Sequence, residues 1–296
     1  MSASARRRRE WMTFLLFAGP NLVLFGVFTY WPVVYSAYLS VYDWNLIATN
    51  PTFLGFANYA ELWSSTEVWR VGANTVIYAV CVVLSAQVFA FVLARLLNRP
   101  LPARALFRTL AFTPYVTTTA AAALVWVLLL DPRLGPLGGA YRALGVEGPD
   151  LLRSGVGSLT ALILVGSWKE IGIATVFFLA GLQGIDRALH ESASIEGAGA
   201  WDQTRHVTLP MMTPVIFVIG IAGFIAALKT FETVYLMTEG GPVYPDSSTY
   251  VFHLYKTGFR DFRAGLASAL AVIFFVLTVI MTALQFRFAR RWVHYQ

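Results

Sequence analysis

The sequence predicts an all-α protein that crosses a membrane six times. Of its 296 residues, 57% are hydrophobic and only 13% are charged. The mean hydropathy is +0.62, well outside the range of ordinary soluble proteins. Its apolar residues are gathered into separate runs, each longer than the roughly 20 residues that a helix needs to cross the hydrocarbon core.

The runs define the six predicted spans in order along the chain. Five of them contain no charged residue: 11–42, 71–94, 109–130, 207–228 and 264–286. A sixth run, 154–185, is interrupted near its middle by Lys169 and Glu170. The stretches between the runs are too short to form independent domains, so we expect one transmembrane domain over 1–296.

The positions of Lys and Arg predict the orientation, because cytoplasmic loops retain an excess of both. With six spans both termini lie on the same side. Placing them in the cytoplasm puts 13 of the 22 basic residues inside, seven outside and two within spans. This arrangement also places the polar segment 186–212 in the cytoplasm.

Other features of the sequence exclude several classes of protein. The formal net charge is +6, but there are no nucleic-acid recognition motifs, so we assign the basic run 6–9 to topology and to contact with anionic lipid. The run 11–42 is too long for the apolar part of a signal peptide. Cys81 is the only cysteine, which excludes an internal disulfide.

The polar segment 186–212 is predicted to contain a short helix, a turn and a second helix. Asp186 is a suitable N-cap for a helix over 187–195, and Gly197 permits a turn. Trp201 is a large aromatic side chain of the kind that anchors protein interfaces. Three small residues between them would let a partner backbone approach closely: Ala198, Gly199 and Ala200.

This segment resembles the cytoplasmic loop of the membrane-spanning subunits of binding-protein-dependent ABC importers. That loop follows the pattern E-A-A, three residues, G, nine residues, I, one residue, L-P. The residues at matching spacing are Glu191, Ala193, Gly197, Leu209 and Pro210. Ser192 replaces the middle alanine and Val207 replaces the isoleucine, and both are mild changes.

The resemblance extends along nearly the whole chain, to the carbohydrate-uptake branch that includes maltose and glycerol-3-phosphate permeases. Features in the same order are Asn74–Thr75, Arg104, Phe107, Arg108, Thr109, Pro114, Asp131–Pro132 and the outer turn 238–242 (TEGGP). The resemblance implies a type I ABC importer permease fold. It also implies translocation of a sugar or related polyol, with glycerol-3-phosphate or a glycerophosphodiester as the alternative cargo.

The partners that the resemblance implies are a second, similar permease chain, two ATPase subunits and an extracytoplasmic substrate-binding protein. The sequence has no G-x-x-x-x-G-K-[ST] loop, so ATP and Mg²⁺ are expected on the ATPase subunits. We therefore expect this chain to be a transport subunit, with no catalytic residue, metal or cofactor of its own, in a bacterial or archaeal plasma membrane.

Charged residues within or beside the spans are candidates for the substrate pathway. Lys169 lies near mid-membrane, where a charge costs roughly 2.5–3.5 kcal/mol and needs protein, water or substrate around it. Lys229 and Glu232 are three residues apart, so we expect them to pair on one helix face. Lys169 is also placed to reach Glu232 across helices.

Two interpretations of these charges stay open. They form an ion-pair network that fixes helix packing, or they line a pathway in which aromatic faces stack on sugar rings. The candidate pathway residues are Trp168, Lys169, Glu170, Lys229, Phe231, Glu232, Tyr235 and, with less weight, Tyr115.

Two rival functions come from other classes. A self-contained secondary transporter would use Lys169 and Glu170 as an ion or proton relay, and the polar segment 186–212 argues against it. A membrane-embedded enzyme would need a catalytic or metal constellation, which the sequence does not contain.

Overall fold

The computed structural model describes residues 3–47, 50–100, 102–146, 148–241 and 244–292. Two features of the sequence analysis lie partly outside them: the side chains of Arg6, Arg8 and Arg9, and Pro242 of the outer turn. The chain divides into two compact units, residues 1–64 with 254–276 and residues 65–253 with 277–296. The single-domain expectation for 1–296 stays a prediction.

The first unit contains the N-terminal span and a small outer layer. Its elements are α1 (Ala3–Phe25), a π-helical turn (Gly26–Tyr30), α2 (Trp31–Leu39), β1 (Tyr42–Asp43), β2 (Thr52–Phe53) and α3 (Ala57–Ser64). β1 and β2 pair antiparallel. It also includes the beginning of the last long helix, α14 (Ala264–Trp292), which continues into the second unit.

Side-chain hydrogen bonds hold the outer layer of the first unit together. The Asn58 amide donates to the backbone oxygens of Ser40 at 2.9 Å and Tyr42 at 3.0 Å, which ties α3 to the end of the first span. At the start of α14, a Cβ on Gly265 would lie 2.0 Å from the Tyr42 carbonyl oxygen. Glycine is therefore required there because the two backbones approach so closely.

A bidentate ion pair links α3 to the residue just before α14. Arg263 Nη1 donates to Glu61 Oε1 at 2.7 Å, and Arg263 Nη2 donates to Glu61 Oε2 at 2.7 Å. The charge-assisted hydrogen bonds hold the pKa of the Glu61 carboxyl below its ordinary value. Both side chains are about half exposed, so solvent screening keeps the contribution to stability small.

The second unit contains most of the helices. In chain order these are α4 (Thr66–Leu97), α5 (Arg104–Val116), α6 (Thr119–Leu130), α7 (Pro136–Ala143), α8 (Gly155–Gln183), α9 (Arg187–Ile195), α10 (Ala200–Gln203), α11 (Leu209–Leu228) and α12 (Glu232–Met237), followed by α13 (Tyr250–Tyr255), whose end belongs to the first unit. Serine side chains cap the two longest. Ser65 Oγ accepts from Val68 N, and Ser154 Oγ accepts from Gly157 N.

The core of the second unit lies where α4, α8 and α11 meet. Ala90, Ala94 and Ala174 are fully buried around the larger side chains of Phe178 and Met212. Small residues let helices approach closely in a membrane, where lipid offers no hydrophobic driving force for their association. The alanines therefore let α4 and α8 approach closely, and Met212 of α11 packs into the same cluster.

Helix lengths confirm the membrane-spanning prediction. Five helical segments are long and apolar enough to cross a bilayer: Glu10–Leu39, Thr66–Leu97, Gly155–Gln183, Ala200–Leu228 and Ala264–Ala289. They match five of the six predicted runs to within a few residues at most ends. The bent pair of α5 and α6 makes a sixth candidate crossing when the two helices are counted as one span.

The run 109–130, predicted as one of six helices, is divided between two helices, α5 and α6. α5 and α6 meet at 100° because Thr117 and Thr118 have extended backbones, with ψ of 134° and 138°. Pro114 lies in the last turn of α5, and proline removes a backbone donor from a helix. The break exposes carbonyl oxygens at the end of α5 that need other donors.

Candidate functional site

The segment 186–212 begins with the short helix α9. We call it the coupling segment because the family resemblance implies that it contacts an ATPase subunit. Asp186 caps α9, since its Oδ1 accepts from Ala188 N at 3.0 Å. Two apolar side chains of α9 point into solvent: Leu189 is 41% exposed and Ile195 is 88% exposed. Glu191 is exposed as well. The sequence-predicted helix over 187–195 is confirmed, and it presents an apolar surface.

Gly197 forms the turn after α9 in the left-handed region, with φ of +84°. Gly197 N donates to Ser194 O at 3.1 Å and Ala198 N donates to Ala193 O at 2.9 Å. The bond to Ala193 is the i to i−5 bond of a Schellman helix end. The positive φ favours glycine at this position. No atom lies within 4 Å of the place a Cβ would occupy, so the space around Gly197 is open.

Gln203 holds the two arms of the coupling segment together. Its Nε2 donates to Ser194 Oγ at 2.9 Å and to Ala198 O at 3.1 Å. Its Oε1 lies 3.3 Å from His190 Nδ1. Gln203 was missed by the sequence analysis because it lies outside the matched motif positions. These hydrogen bonds hold α9 and α10 against each other across the turn, and we call this arrangement the braced hairpin.

The tip of the hairpin is slim and ends in an exposed tryptophan. Gly199 and Ala200 are exposed, and the Trp201 side chain on α10 is 70% exposed. A π-helical turn, Thr204–Thr208, then leads directly into α11. Leu209 and Pro210 form the first turn of α11, and the helical backbone continues into them from the π-helical turn, since Leu209 N donates to Thr204 O.

A cavity of about 360 Å³ lies at the far end of α11. Five of the eight predicted pathway residues line it: Lys169, Glu170, Lys229, Phe231 and Glu232. The sequence analysis missed several further lining residues, which carry hydroxyl groups or no side chain: Tyr78, Thr119, Thr230, Thr233, Gly166 and Gly223.

Lys169 is held by the break in the third span. Its Nζ donates to Thr117 O at 2.6 Å and lies 3.5 Å from Pro114 O. These carbonyls belong to the end of α5, where the helix no longer supplies donors. The ammonium group therefore closes the helix end that the 100° bend leaves open.

The expected ion pairs are not formed in the part of the chain that the structure describes. Neither Lys169 nor Lys229 has a carboxylate oxygen of Glu232 within the 4.0 Å limit of an ion pair. The helical spacing assumed for Lys229 and Glu232 was wrong, because α11 ends at Leu228 and α12 begins at Glu232. Lys229 and Glu232 are both exposed.

Two glycines make room for polar groups at the cavity wall. A Cβ on Gly166 would lie 2.4 Å from the Tyr78 hydroxyl, and one on Gly223 would lie 3.0 Å from Glu170 Oε1. Thr230 Oγ1 donates to Tyr78 OH at 3.4 Å. The wall therefore combines hydroxyl groups and a carboxylate, which can hydrogen-bond to a hydroxylated ligand.

The remaining three predicted residues lie outside the cavity lining, and only Tyr235 packs against a lining residue. Tyr235 stacks on Phe231, with ring centroids 5.5 Å apart. Trp168 packs edge to face against Trp126 at 5.6 Å, and Tyr115 lies 5.6 Å from Phe112. The structure does not bring Trp168 or Tyr115 to the cavity.

A largely buried loop, 244–249, lies against the break between α11 and α12. Thr249 Oγ1 donates to Thr230 O at 3.0 Å, within that break. The Asn74 amide holds the loop by donating to the carbonyls of Pro245, Asp246 and Ser248. Asn74 was noted in the sequence without a role, and its role here is to anchor this loop to α4.

In the turn that begins at Thr238, the next three residues have left-handed backbones. Glu239, Gly240 and Gly241 have φ of 49°, 92° and 108°. The turn stops α12, as a run of turn-forming residues predicts.

Comparisons with known proteins agree with this architecture. Residues 86–294 match the family described as binding-protein-dependent transport system inner membrane component. The sn-glycerol-3-phosphate transport system permease protein UgpA of Agrobacterium fabrum is 30% identical over 281 residues, covering 95% of each chain. Its counterpart in Yersinia pestis is 31% identical over 288 residues, covering 97% of each.

A solved structure shows the same fold. A chain of a bacterial alginate ABC transporter, crystallised in complex with an alginate pentasaccharide-bound periplasmic protein, superposes with a TM-score of 0.84 at 22% identity. The match covers 98% of this chain and 97% of that one. The chain described here belongs to the family of binding-protein-dependent transport system inner membrane components.

Proposed function

We propose that this chain is a permease subunit of an ATP-driven importer that carries a sugar or related polyol across the membrane. Both termini and the coupling segment lie in the cytoplasm. A second permease chain completes the pathway, two ATPase subunits bind ATP and Mg²⁺, and an extracytoplasmic protein delivers the cargo. Family membership and the distribution of basic residues support this assembly.

The observation that carries the proposal is a direct mechanical connection between the coupling segment and the cavity. α11 has 20 residues and is therefore about 30 Å long. The braced hairpin joins its first turn, while Gly223 and the residues after Leu228 border the cavity. A displacement of the hairpin by an ATPase subunit therefore moves the cavity wall.

The coupling must act in both directions. If closure of the ATPase subunits changes the affinity of the cavity for cargo, cargo changes the free energy of closure by the same amount. Delivery of cargo by the binding protein should therefore favour closure of the ATPase subunits.

The cavity suits a hydroxylated ligand. Its threonine and tyrosine hydroxyls and its carboxylates can bind sugar hydroxyl groups, and Phe231 offers a flat apolar face. Sugar recognition commonly combines such groups. The alginate transporter of similar fold carries an acidic polysaccharide, which supports the same cargo class.

A phosphorylated polyol is the second candidate cargo. Two lysines, Lys169 and Lys229, border the cavity, and the Lys229 side chain is exposed beside it. Ammonium groups bind phosphate well. The relatives of about 30% identity are named as glycerol-3-phosphate permeases, which supports this candidate.

We expect Trp201→Ala to weaken the attachment of the ATPase subunits. Truncating an aromatic anchor at the centre of an interface costs on the order of 2 kcal/mol or more, about 30-fold in affinity. The measurement is the amount of ATPase subunit that co-purifies with the tagged permease chain. The matched control is Trp63→Ala, since Trp63 is 74% exposed and lies outside the coupling segment. Equal retention by the two variants would remove Trp201 from the interface.

A further inference from the structure

Two arginines at the start of α5 converge on the last residue of α8. Arg104 Nε donates to Leu97 O at 2.7 Å, which closes the end of α4. With its amide oxygen turned toward them, Gln183 accepts from Arg108 Nη2 at 3.1 Å and from Arg104 Nη2 at 3.3 Å. This orientation of the amide is the one that satisfies the hydrogen-bond network.

The cluster of Arg104, Arg108 and Gln183 has two positive charges and no compensating negative one. Among the described residues, neither guanidinium has a carboxylate oxygen within 4.0 Å. Arg108 Nε is buried and has no hydrogen-bond partner among the residues that the structure describes. The two guanidinium groups therefore carry positive charge that no described side chain neutralises, and an anion beside them would supply the missing negative charge.

The backbone adds to the positive potential. The residue before α5, Ala103, is in the left-handed region, and its side chain makes no capping hydrogen bond. The first N–H groups of the 13-residue helix α5 therefore keep their partial positive charge. They begin at Arg104 itself, so helix end and guanidinium groups favour an anion together.

We propose that this cluster binds the phosphate group of an anionic phospholipid. Guanidinium groups match phosphate oxygens in pairs, which lysine cannot do. The cluster lies at the ends of α4 and α8 nearest the coupling segment, which the basic residues place at the inner membrane surface. Basic pockets between spans at that surface bind anionic headgroups.

Neighbouring side chains favour a lipid over free phosphate. Leu106, Phe107 and Leu110 on α5 are 57%, 50% and 57% exposed. At about 100° per residue they lie on other faces of α5 than Arg104 and Arg108, so they give the start of this helix an apolar surface for acyl chains around the charged cluster. A bound lipid would join the start of the bent third span to Gln183, only three residues before Asp186. It would therefore steady the coupling segment whatever the cargo of the transporter.

The test is native mass spectrometry on the full-length chain, purified in detergent and stripped of lipid. Phosphatidylglycerol, phosphatidylethanolamine with the same acyl chains and inorganic phosphate are added separately. We expect preferential binding of phosphatidylglycerol, and a loss of about tenfold or more in its affinity in Arg108→Gln. Arg99→Gln is the control, because Arg99 is exposed at the same end and carries the same charge.

Several results would overturn the proposal. One is wild-type affinity for phosphatidylglycerol in Arg108→Gln, and another is an equal loss in Arg99→Gln. Inorganic phosphate binding as tightly as the lipid would assign the cluster to a free anion. Loss of the ATPase subunits from Arg108→Gln with lipid affinity unchanged would assign it to a protein contact.

A second variant keeps the test valid if Arg108→Gln fails to fold. Arg108→Lys retains the charge but loses the paired donors. We expect its affinity for phosphatidylglycerol to be lower than that of the wild type and of Arg99→Gln, but higher than that of Arg108→Gln. Unchanged thermal unfolding of the lipid-free protein shows that the variant is folded. Wild-type lipid affinity in folded Arg108→Lys would contradict recognition by the fork of the guanidinium group.

Discussion

Gly197→Trp should reduce uptake to background while the chain still inserts into the membrane. No atom lies within 4 Å of a Cβ at this position, so the indole would project from the hairpin into the surface proposed to meet an ATPase subunit. The left-handed φ of +84° adds about 1–2 kcal/mol of backbone strain for any residue with a side chain. The measurement is ATP-dependent uptake by the assembled complex, normalised to the amount of inserted chain.

Two substitutions separate strain from obstruction. Gly197→Ala introduces the strain with little bulk, so we expect a partial loss of uptake. Gly184→Ala is the matched control, because Gly184 has φ of −83° and an added Cβ would lie 3.4 Å from Gly181 O, close to ordinary contact. Normal uptake by Gly197→Trp would remove the coupling role from this segment.

Lys169→Met should lower both thermal stability and uptake. The substitution leaves Thr117 O without the donor that now lies 2.6 Å away. An unsatisfied, partly buried carbonyl costs roughly 1–3 kcal/mol. The bend between α5 and α6 then loses its brace, and the cavity beside it changes shape. Thermal unfolding of the purified chain and uptake by the complex are the two measurements.

Lys169→Arg is the matched control, because it keeps a charged donor near the same carbonyls. We expect it to retain most of the stability. Wild-type unfolding of Lys169→Met combined with lost uptake would instead place the ammonium group on the cargo. Wild-type behaviour in both measurements would contradict each role.

Much of the fold could be predicted from the sequence because hydropathy reports the length of an apolar run. The runs 71–94 and 154–185 became α4 and α8, and the polar segment 186–212 became the hairpin. The direction of a helix axis is a different property. Nothing in the run 109–130 shows that Thr117 and Thr118 are extended, since each is compatible with a helix.

The partners of the charged residues were harder to predict than their positions. Charge spacing suggests carboxylates as partners for Lys169, but a backbone carbonyl is also a good acceptor. Every residue has such a carbonyl, so the residue types do not show which one binds Lys169. The same reason hid the role of Asn74, which binds three carbonyls of the loop 244–249. Such contacts can be predicted only when the breaks in the helices are known, because the breaks leave the backbone carbonyls free to accept from side chains.

The most direct test of the account is reconstitution in liposomes. The chain is tested alone and together with its sister permease, two ATPase subunits and the binding protein, with sugars, polyols and sn-glycerol-3-phosphate as cargo. We predict ATP-dependent uptake of one of these cargos only by the complete assembly, with ATP hydrolysis stimulated by the loaded binding protein. Uptake by the chain alone, driven by an ion gradient, would contradict the account.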